Sequence, residues 1–209
     1  MFGTQNLTAF ILAGLLLNIT PGPDTMYILG RSIGFGRKAG ILSVMGIGTG
    51  AIGHTFLAAF GLSSILAASS QVFYAVKLMG AGYLIFLGIK TLLDKSALDW
   101  SGPKNQPMDH WKIYRQGMLT NLLNPKVALF YLAFLPQFVD PASSNKILSF
   151  LFLGFVFIFN GTIYCFLIAI FSAGATKALR QSERFSLWLK RFTGTLFTLL
   201  GIRLLFEKQ

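Results

Sequence analysis

Asn18 to Leu29 reads NITPGPDTMYIL, inside a run from about residue 5 to 30 that is otherwise apolar enough for a membrane helix. Proline removes a backbone donor and clashes with the preceding turn. Glycine admits backbone shapes that other residues avoid. Two prolines, a glycine and an aspartate within four positions therefore interrupt the helix and place a charge where lipid cannot solvate it. Broken backbone and intramembrane charge are tolerated only where protein or water satisfies them. The stretch implies a bundle of helices with a polar interior, and not a lone anchor.

Composition agrees. The 209 residues are 54% hydrophobic and only 12% charged, against about 25% charged in soluble domains. The net charge of +11 suits orientation in a bilayer, which Lys and Arg set, better than nucleic-acid binding. At roughly 20 apolar residues per span, six spans are expected, near 5–30, 40–66, 71–93, 115–138, 146–172 and 191–207. The last is short and contains Arg203. Asp94 to Arg115 reads as an exposed loop, rich in Pro and charge. Thr176 to Phe192, basic with interleaved apolar residues, suits an interfacial helix or a basic linker. MFGTQNLTAF lacks the basic start of a secretory signal, so the first span is expected to be retained.

Thirteen of the 18 Lys and Arg fall in the odd-numbered loops: Arg31, Arg37 and Lys38; Lys90, Lys95, Lys104, Lys112 and Arg115; Lys177, Arg180, Arg184, Lys190 and Arg191. The loop between spans two and three has none, and that between four and five has Lys146 alone. The odd loops are therefore expected in the cytoplasm, with both termini outside if the sixth helix spans.

An internal repeat explains the number of spans. LLN at 16–18 recurs at 122–124 and ILS at 41–43 recurs at 147–149, both 106 positions later. LGIK at 87–90 recurs as LGIR at 200–203, and Lys77 matches Lys190, both 113 later. Three helices per copy force the second copy to enter the membrane from the opposite side. The expected fold is all-α: one polytopic membrane domain over 1–209, with six transmembrane helices as two inverted three-helix repeats. Repeat one covers about 5–93, a cytoplasmic loop about 94–114, and repeat two about 115–207. Secondary transporters recurrently use this plan, with their sites at paired helix breaks near the midplane.

The second break is NPK, Asn124–Lys126, and the duplicated LLN places it where TPGPD stands in the first half. The candidates for binding substrate or protons are Asn18, Thr20, Pro21, Gly22, Pro23 and Asp24 at the first break. Asn124, Pro125 and Lys126 stand at the second, with His54 and its repeat counterpart Asn160 between the copies. Asp24 lies roughly 10 Å inside Arg31, and Lys126 roughly 16 Å inside Arg115, at the helical rise. Asp24 reads as a functional charge or as a cap for the half-helix starting near Pro23. Lys126 reads as functional, as a partner in an ion pair with Asp24, or as a snorkelling side chain. His54 could relay protons, but a buried, hydrogen-bonded histidine is the favoured reading. Gly46, Gly50 and Gly53 share one helix face and suit close helix packing.

Enzyme chemistry finds no support. GIGTGAIG at 46–53 has the Gly48, Gly50, Gly53 spacing of a phosphate loop, but it follows no strand. No Ser/His/Asp set or metal-ligand spacing occurs, and the single Cys165 allows no intramolecular disulfide. No cofactor is expected.

TPGPD, GAGYLIFLGIKTL at 80–92, GMLTNLLNPKVALFYLAFLPQFV at 117–139 and FTGTLFTLLGIRLL at 192–205 resemble the lysine-exporter superfamily, most closely its homoserine/threonine-resistance branch (LysE/RhtB). The resemblance covers nearly the whole chain. It implies a bacterial inner-membrane exporter of amino acids or close derivatives, homoserine-, threonine- or leucine-like, driven by proton antiport. It directs attention to Pro21, Gly22, Pro23, Asp24, Asn124, Pro125 and Lys126. The expected partners are an amino acid, protons and the lipid bilayer, with no nucleic acid; self-association into a homo-oligomer stays open. The alternatives are a carrier or channel for another small solute or cation, and a non-transporting membrane assembly partner.

Overall fold

The computed structural model describes residues 2–20, 22–64, 70–93, 108–172 and 183–206, and these are helical with short connections. The first expected span is two helices, α1 (Leu7–Ile19) and α2 (Pro23–Phe35), bent by 51° at the break. Pro23 stands at the first position of α2 after an extended Gly22, where its missing N–H costs nothing. Helix α3 (Arg37–Phe56) continues into a π-helical turn, Leu57–Leu62. Gly36, at φ 83°, joins α2 to α3 with no loop; a side chain there would be strained. Helix α4 covers Ser70–Leu93.

The second half repeats the plan. Helix α5 (His110–Leu122) is followed by α6 (Pro125–Leu129), which runs on through a π turn (Phe130–Phe134) and a 3-10 turn (Leu135–Phe138). The pair is bent by 44°. Asn124 caps α6, its side chain accepting from Lys126 N at 3.0 Å, with Pro125 at the first helical position. Helix α7 covers Lys146–Ser172 and α8 covers Glu183–Phe206.

Two expected boundaries move. The polar loop was expected to reach Arg115, but helix begins at His110, where Asp109 accepts from Lys112 N at 3.0 Å. This N-cap satisfies an otherwise free amide, and polar residues then continue the helix outside the apolar stretch. The basic segment expected at 176–192 is divided: residues 173–182 lie outside the described set, and from Glu183 onward it is the first part of α8. Among the described residues Arg37–Leu62 and Lys146–Ser172 are long and apolar enough to cross a membrane, and the count rises to four when each bent pair is taken as one span. Helices α4 and α8, at 24 residues each, reach roughly 36 Å at the helical rise; Leu78–Leu93 is the apolar part of α4.

Helices α4 and α8 lie against each other at small residues. A Cβ on Gly201 would come 2.8 Å from the Ala81 carbonyl oxygen, and one on Gly88 would come 2.7 Å from that of Gly194. The 113-residue offset maps Ala81 onto Gly194 and Gly88 onto Gly201, so it exchanges the two contacts. The exchange follows from the antiparallel packing of the two helices. Helix α3 packs on α5 and α7. Gly46 sits on the Tyr114 carbonyl, Gly50 on Asn121 and Met118, and Gly53 on Leu122. Without water to drive association, such close backbone approach is what holds membrane helices together.

The two ends of the bundle are closed differently. Near the N-terminus, Thr4 bridges to Val139 and Gln5 N donates to the Phe138 carbonyl at 2.9 Å. Beneath them Phe10, Phe130, Phe134, Phe138 and Phe157 form a buried aromatic layer, with ring centroids of Phe130 and Phe157 4.4 Å apart. At the opposite, basic end, Tyr27 donates to the Ile113 carbonyl at 2.8 Å. Arg31 donates to Gln116 Oε1 at 2.7 Å while lying over the Tyr27 ring. The phenylalanines of α7 divide accordingly: Phe150 and Phe157 are core, whereas Phe155, Phe159 and Phe171 are exposed.

The packing of α4 on α8 is open to a direct test. Gly88→Ala drives a methyl into Thr198 and the Gly194 carbonyl, whereas Gly82, on the same helix, has open space around it. Gly88→Ala is expected to cost about 1–3 kcal/mol, the usual range for overpacking, and Gly82→Ala to be neutral or slightly stabilising. Equal melting of the two variants in detergent would rule out this helix contact.

Candidate functional site

A helix broken inside a membrane leaves carbonyls without partners at the end of its first half. Here those carbonyls are capped across the two repeats. Lys126, on the first turn of α6, reaches back to the end of α1 and donates from Nζ to the carbonyls of Leu17 at 3.1 Å and Thr20 at 2.9 Å. A cation at a helix C-terminus also meets the negative end of its dipole. The reverse cap comes from repeat one: His54 of α3 donates from Nε2 to the Asn121 carbonyl, near the end of α5, at 3.1 Å. The His54 ring stacks on Tyr131, whose hydroxyl is 2.9 Å from that of Thr55.

The breaks therefore meet. Gly22 lies directly against the lysine: a Cβ there would come 3.2 Å from Lys126 Nζ. Asp24 is buried on the first turn of α2 and accepts from Asn121 Nδ2 at 2.7 Å. Of the readings open for Lys126, the ion pair is not formed: no nitrogen–oxygen contact within 4.0 Å joins it to Asp24. The ammonium is held by backbone carbonyls and the carboxylate by an amide, and both residues line one cavity.

That cavity has a volume of about 40 Å³ and is lined by Asn18, Asp24, Asn121 and Lys126 together with apolar walls. It has room for a few waters. Its walls come from α3 (Val44, Ile47, Ala51), α6 (Val127) and α7 (Phe157, Ile158, Gly161, Thr162, Cys165). Several of its polar atoms are buried without partners: Asn18 Nδ2, Asp24 Oδ1 and Asn121 Oδ1. Gly161 makes room for Asn18, since a Cβ there would lie 3.2 Å from both Nδ2 and Oδ1.

Of the residues expected from the sequence, Asn18, Asp24 and Lys126 line the cavity. Thr20, Gly22, Pro23, Asn124 and Pro125 shape the two breaks around it, and His54 lies one layer behind, on Asn121. Pro21 lies outside the described residues. Asn160 is half-buried on α7 and does not line the cavity; its neighbour Gly161 does. Asn121 went unnoticed in the sequence. It lies just before the second break, three positions ahead of Asn124, with no covalent feature to mark it. Among the described residues no cluster of three or more His, Cys, Asp or Glu could hold a metal ion.

Helices broken in corresponding places in two halves, crossing near buried charges of both signs, define a multi-pass membrane protein with an interior polar site. The family model for the LysE type translocator matches residues 15–208, and the chain belongs to that family. It is 30% identical over 207 residues to the uncharacterized membrane protein YrhP of Bacillus subtilis (strain 168), covering 95% of this chain and 98% of the relative. It is 28% identical over 203 residues to the leucine efflux protein of Enterobacter sp. (strain 638), covering 97% and 96%. The leucine efflux protein of Salmonella typhi is 28% identical over 178 residues, covering 83% and 81%. No solved structure matches the chain.

The cross-repeat cap separates two roles for Lys126. If it holds α1, Lys126→Met leaves two carbonyls bare, at about 1–3 kcal/mol for each unsatisfied group. Adding Asp24→Asn then does not restore stability, because the carbonyls stay unpaired. Recovery of wild-type melting in the double variant would instead mean that the lysine serves only to balance Asp24.

Proposed function

We propose that this protein exports neutral amino acids with aliphatic side chains, of the leucine kind, across the bacterial inner membrane by proton-coupled alternating access. One observation carries the reading. The two breaks face one cavity whose charged lining residues are Asp24 and Lys126 and whose remaining walls are largely apolar. A zwitterion needs one group of each sign, and an aliphatic side chain needs Val44, Ile47, Ala51, Val127 and Phe157. A basic side chain would need a second acid, and the lining residues include none. The relatives named leucine efflux proteins favour the same substrate class.

The cavity is too small for an amino acid while the Phe130 layer closes one end and Tyr27, Arg31 and Gln116 close the other. Transport then consists of opening these closures in turn as the repeats rock against each other. By the positive-inside rule the Arg31 end faces the cytoplasm, and the N-terminus lies on the far side. In this mechanism Asp24 exchanges a proton for the substrate ammonium. Protonation removes the carboxylate charge and frees the ammonium on the outer side.

Inside-out vesicles containing the protein are expected to accumulate radiolabelled leucine when their lumen is acid, and Asp24→Asn vesicles are not. Leucine accumulation by neither, with the protein confirmed in the membrane and other neutral amino acids also failing, ends the proposal. Accumulation indifferent to the pH gradient removes proton coupling alone.

Cys165 supplies an internal reporter, being the single cysteine and a lining residue of the cavity. Saturating leucine is expected to slow its alkylation by a small maleimide by about tenfold, the effect of a site about 90% occupied. Lysine at the same concentration is expected to leave the rate unchanged. Equal protection by both would remove the restriction to aliphatic side chains.

A further inference from the structure

Residues 2–5 run across the end of the bundle opposite the basic one and are tied there to the second half of the chain. Gln5 N donates to the Phe138 carbonyl and Asp140 N to the Gly3 carbonyl, both at 2.9 Å, on either side of the bridge between Thr4 and Val139. Gln5 Nε2 donates to the Gln137 carbonyl at 3.0 Å, and Ser149 Oγ donates to the Phe2 carbonyl at 2.9 Å. The Phe2 ring stacks on Phe152 of α7, with centroids 4.8 Å apart. Phe138 and Val139, which receive this strap, are buried and belong to the same core cluster as the aromatic layer.

The strap differs from the scaffold around it in two ways. Its backbone is held out of the usual shapes: Phe2, Gly3 and Asn6 have φ of 50°, 61° and 51°, a region that a bulky residue such as phenylalanine avoids. Such shapes persist only where the surroundings enforce them, so the contacts with the second half hold the strap in place. Its seat is close-fitting, since a side chain on Gly3 would overlap Ser143 Oγ and come 2.7 Å from Ser149 Oγ. The strap also stands outside the repeat. The 106-residue offset carries Thr4 and Gln5 onto His110 and Trp111, which are the first turn of α5. The basic end is closed instead by the side chains of Tyr27, Arg31 and Gln116.

We propose that residues 2–5 are the latch of the outer closure: seated, they tie α1 to the end of the second broken helix and to α7, and they unseat when the cavity opens outward. The proposal rests on the alternating-access reading above and adds to it a part that must release. The strap leads through Asn6 into α1, whose far end Lys126 caps. Residues 137–140 continue from the broken helix of the second half. Rocking of one half against the other, as alternating access requires, separates these two segments. An isolated bridge is weak enough to part and re-form, since even a complete two-stranded hairpin is marginal on its own.

The bridge lends itself to a covalent test. Residues that face each other between two flanking bonds, as Thr4 and Val139 do, have Cα atoms about 4.5 Å apart, inside the roughly 4.4–6.8 Å range of a disulfide. In proteoliposomes of the full chain, Thr4→Cys/Val139→Cys is expected to lose leucine counterflow on oxidation with copper phenanthroline and to regain it with dithiothreitol. Thr4→Cys and Val139→Cys alone, which retain Cys165 as the pair does, are expected to be insensitive to the oxidant. Complete cross-linking with undiminished counterflow overturns the latch and leaves the exporter reading intact. Wild-type protein that exchanges no amino acid overturns both. A second variant unseats the strap instead. Gly3→Ala is strained by its φ and crowded by Ser143 and Ser149. It is expected to raise the rate at which a membrane-impermeant maleimide outside intact cells alkylates Cys165 by about tenfold, the effect of about 1.4 kcal/mol lost from the closed state. An unchanged rate overturns the proposal, and this result decides alone if the cysteine pair forms no disulfide, fails to reach the membrane, or the single variants also respond to the oxidant.

Discussion

Backbone carbonyls released inside a membrane must find donors within the protein, and this constraint organises the structure. Each half of the chain breaks one helix, and each break frees carbonyls at depth. The donors come from the other half: Lys126 of repeat two caps α1, and His54 of repeat one caps α5. Local bonds, Thr20 N to the Leu16 carbonyl and Asn124 N to the Asn121 carbonyl, satisfy part of each break, and the other half completes it. The two halves are tied together where the backbone is least regular, and a bond across the repeat interface is also one that relative motion of the halves would change.

The lysine illustrates why the arrangement is more than a cap. On the first turn of α6 a positive charge opposes the dipole of its own helix. It is offset by the dipole end of α1, which belongs to the other repeat. Asp24 has the opposite relation, standing on the first turn of α2 where a negative charge is favoured. The two charges therefore need not neutralise each other by contact. Each is held by backbone or amide groups, and both line one cavity. A direct ion pair would have filled that space and left no polar surface for a ligand.

Much of this was legible in residues 16–31 and 117–139. Pro and Gly announce a break through their own covalent structure, so both interruptions could be located without coordinates. The offsets of LLN and LGIK point to a repeat, and the two bent helix pairs stand in the same place in each half of the chain. Other features were hidden for physical reasons. Helix α5 extends outward to His110 because Asp109 caps it, and hydropathy does not register a cap. Whether Asp24 and Lys126 pair, one of the readings open from the sequence, depended on where long side chains turn, and backbone carbonyls offered the ammonium nearer partners. His54 and Asn160 are counterparts by offset, yet only His54 reaches a helix end, since a repeat preserves backbone placement better than side-chain environment.

Asn121 shows where reading by motif stops. It is neither a break residue nor a charge, and an asparagine in a helix has no covalent peculiarity to mark it. Its importance comes from what surrounds it: an aspartate from another helix, a histidine on its carbonyl, and a glycine that lets α3 approach. These contacts hold the residue at the edge of the cavity, its amide on Asp24 and its side chain packed against Gly50. Conspicuous residues build the breaks, but which groups meet in the interior is decided by packing.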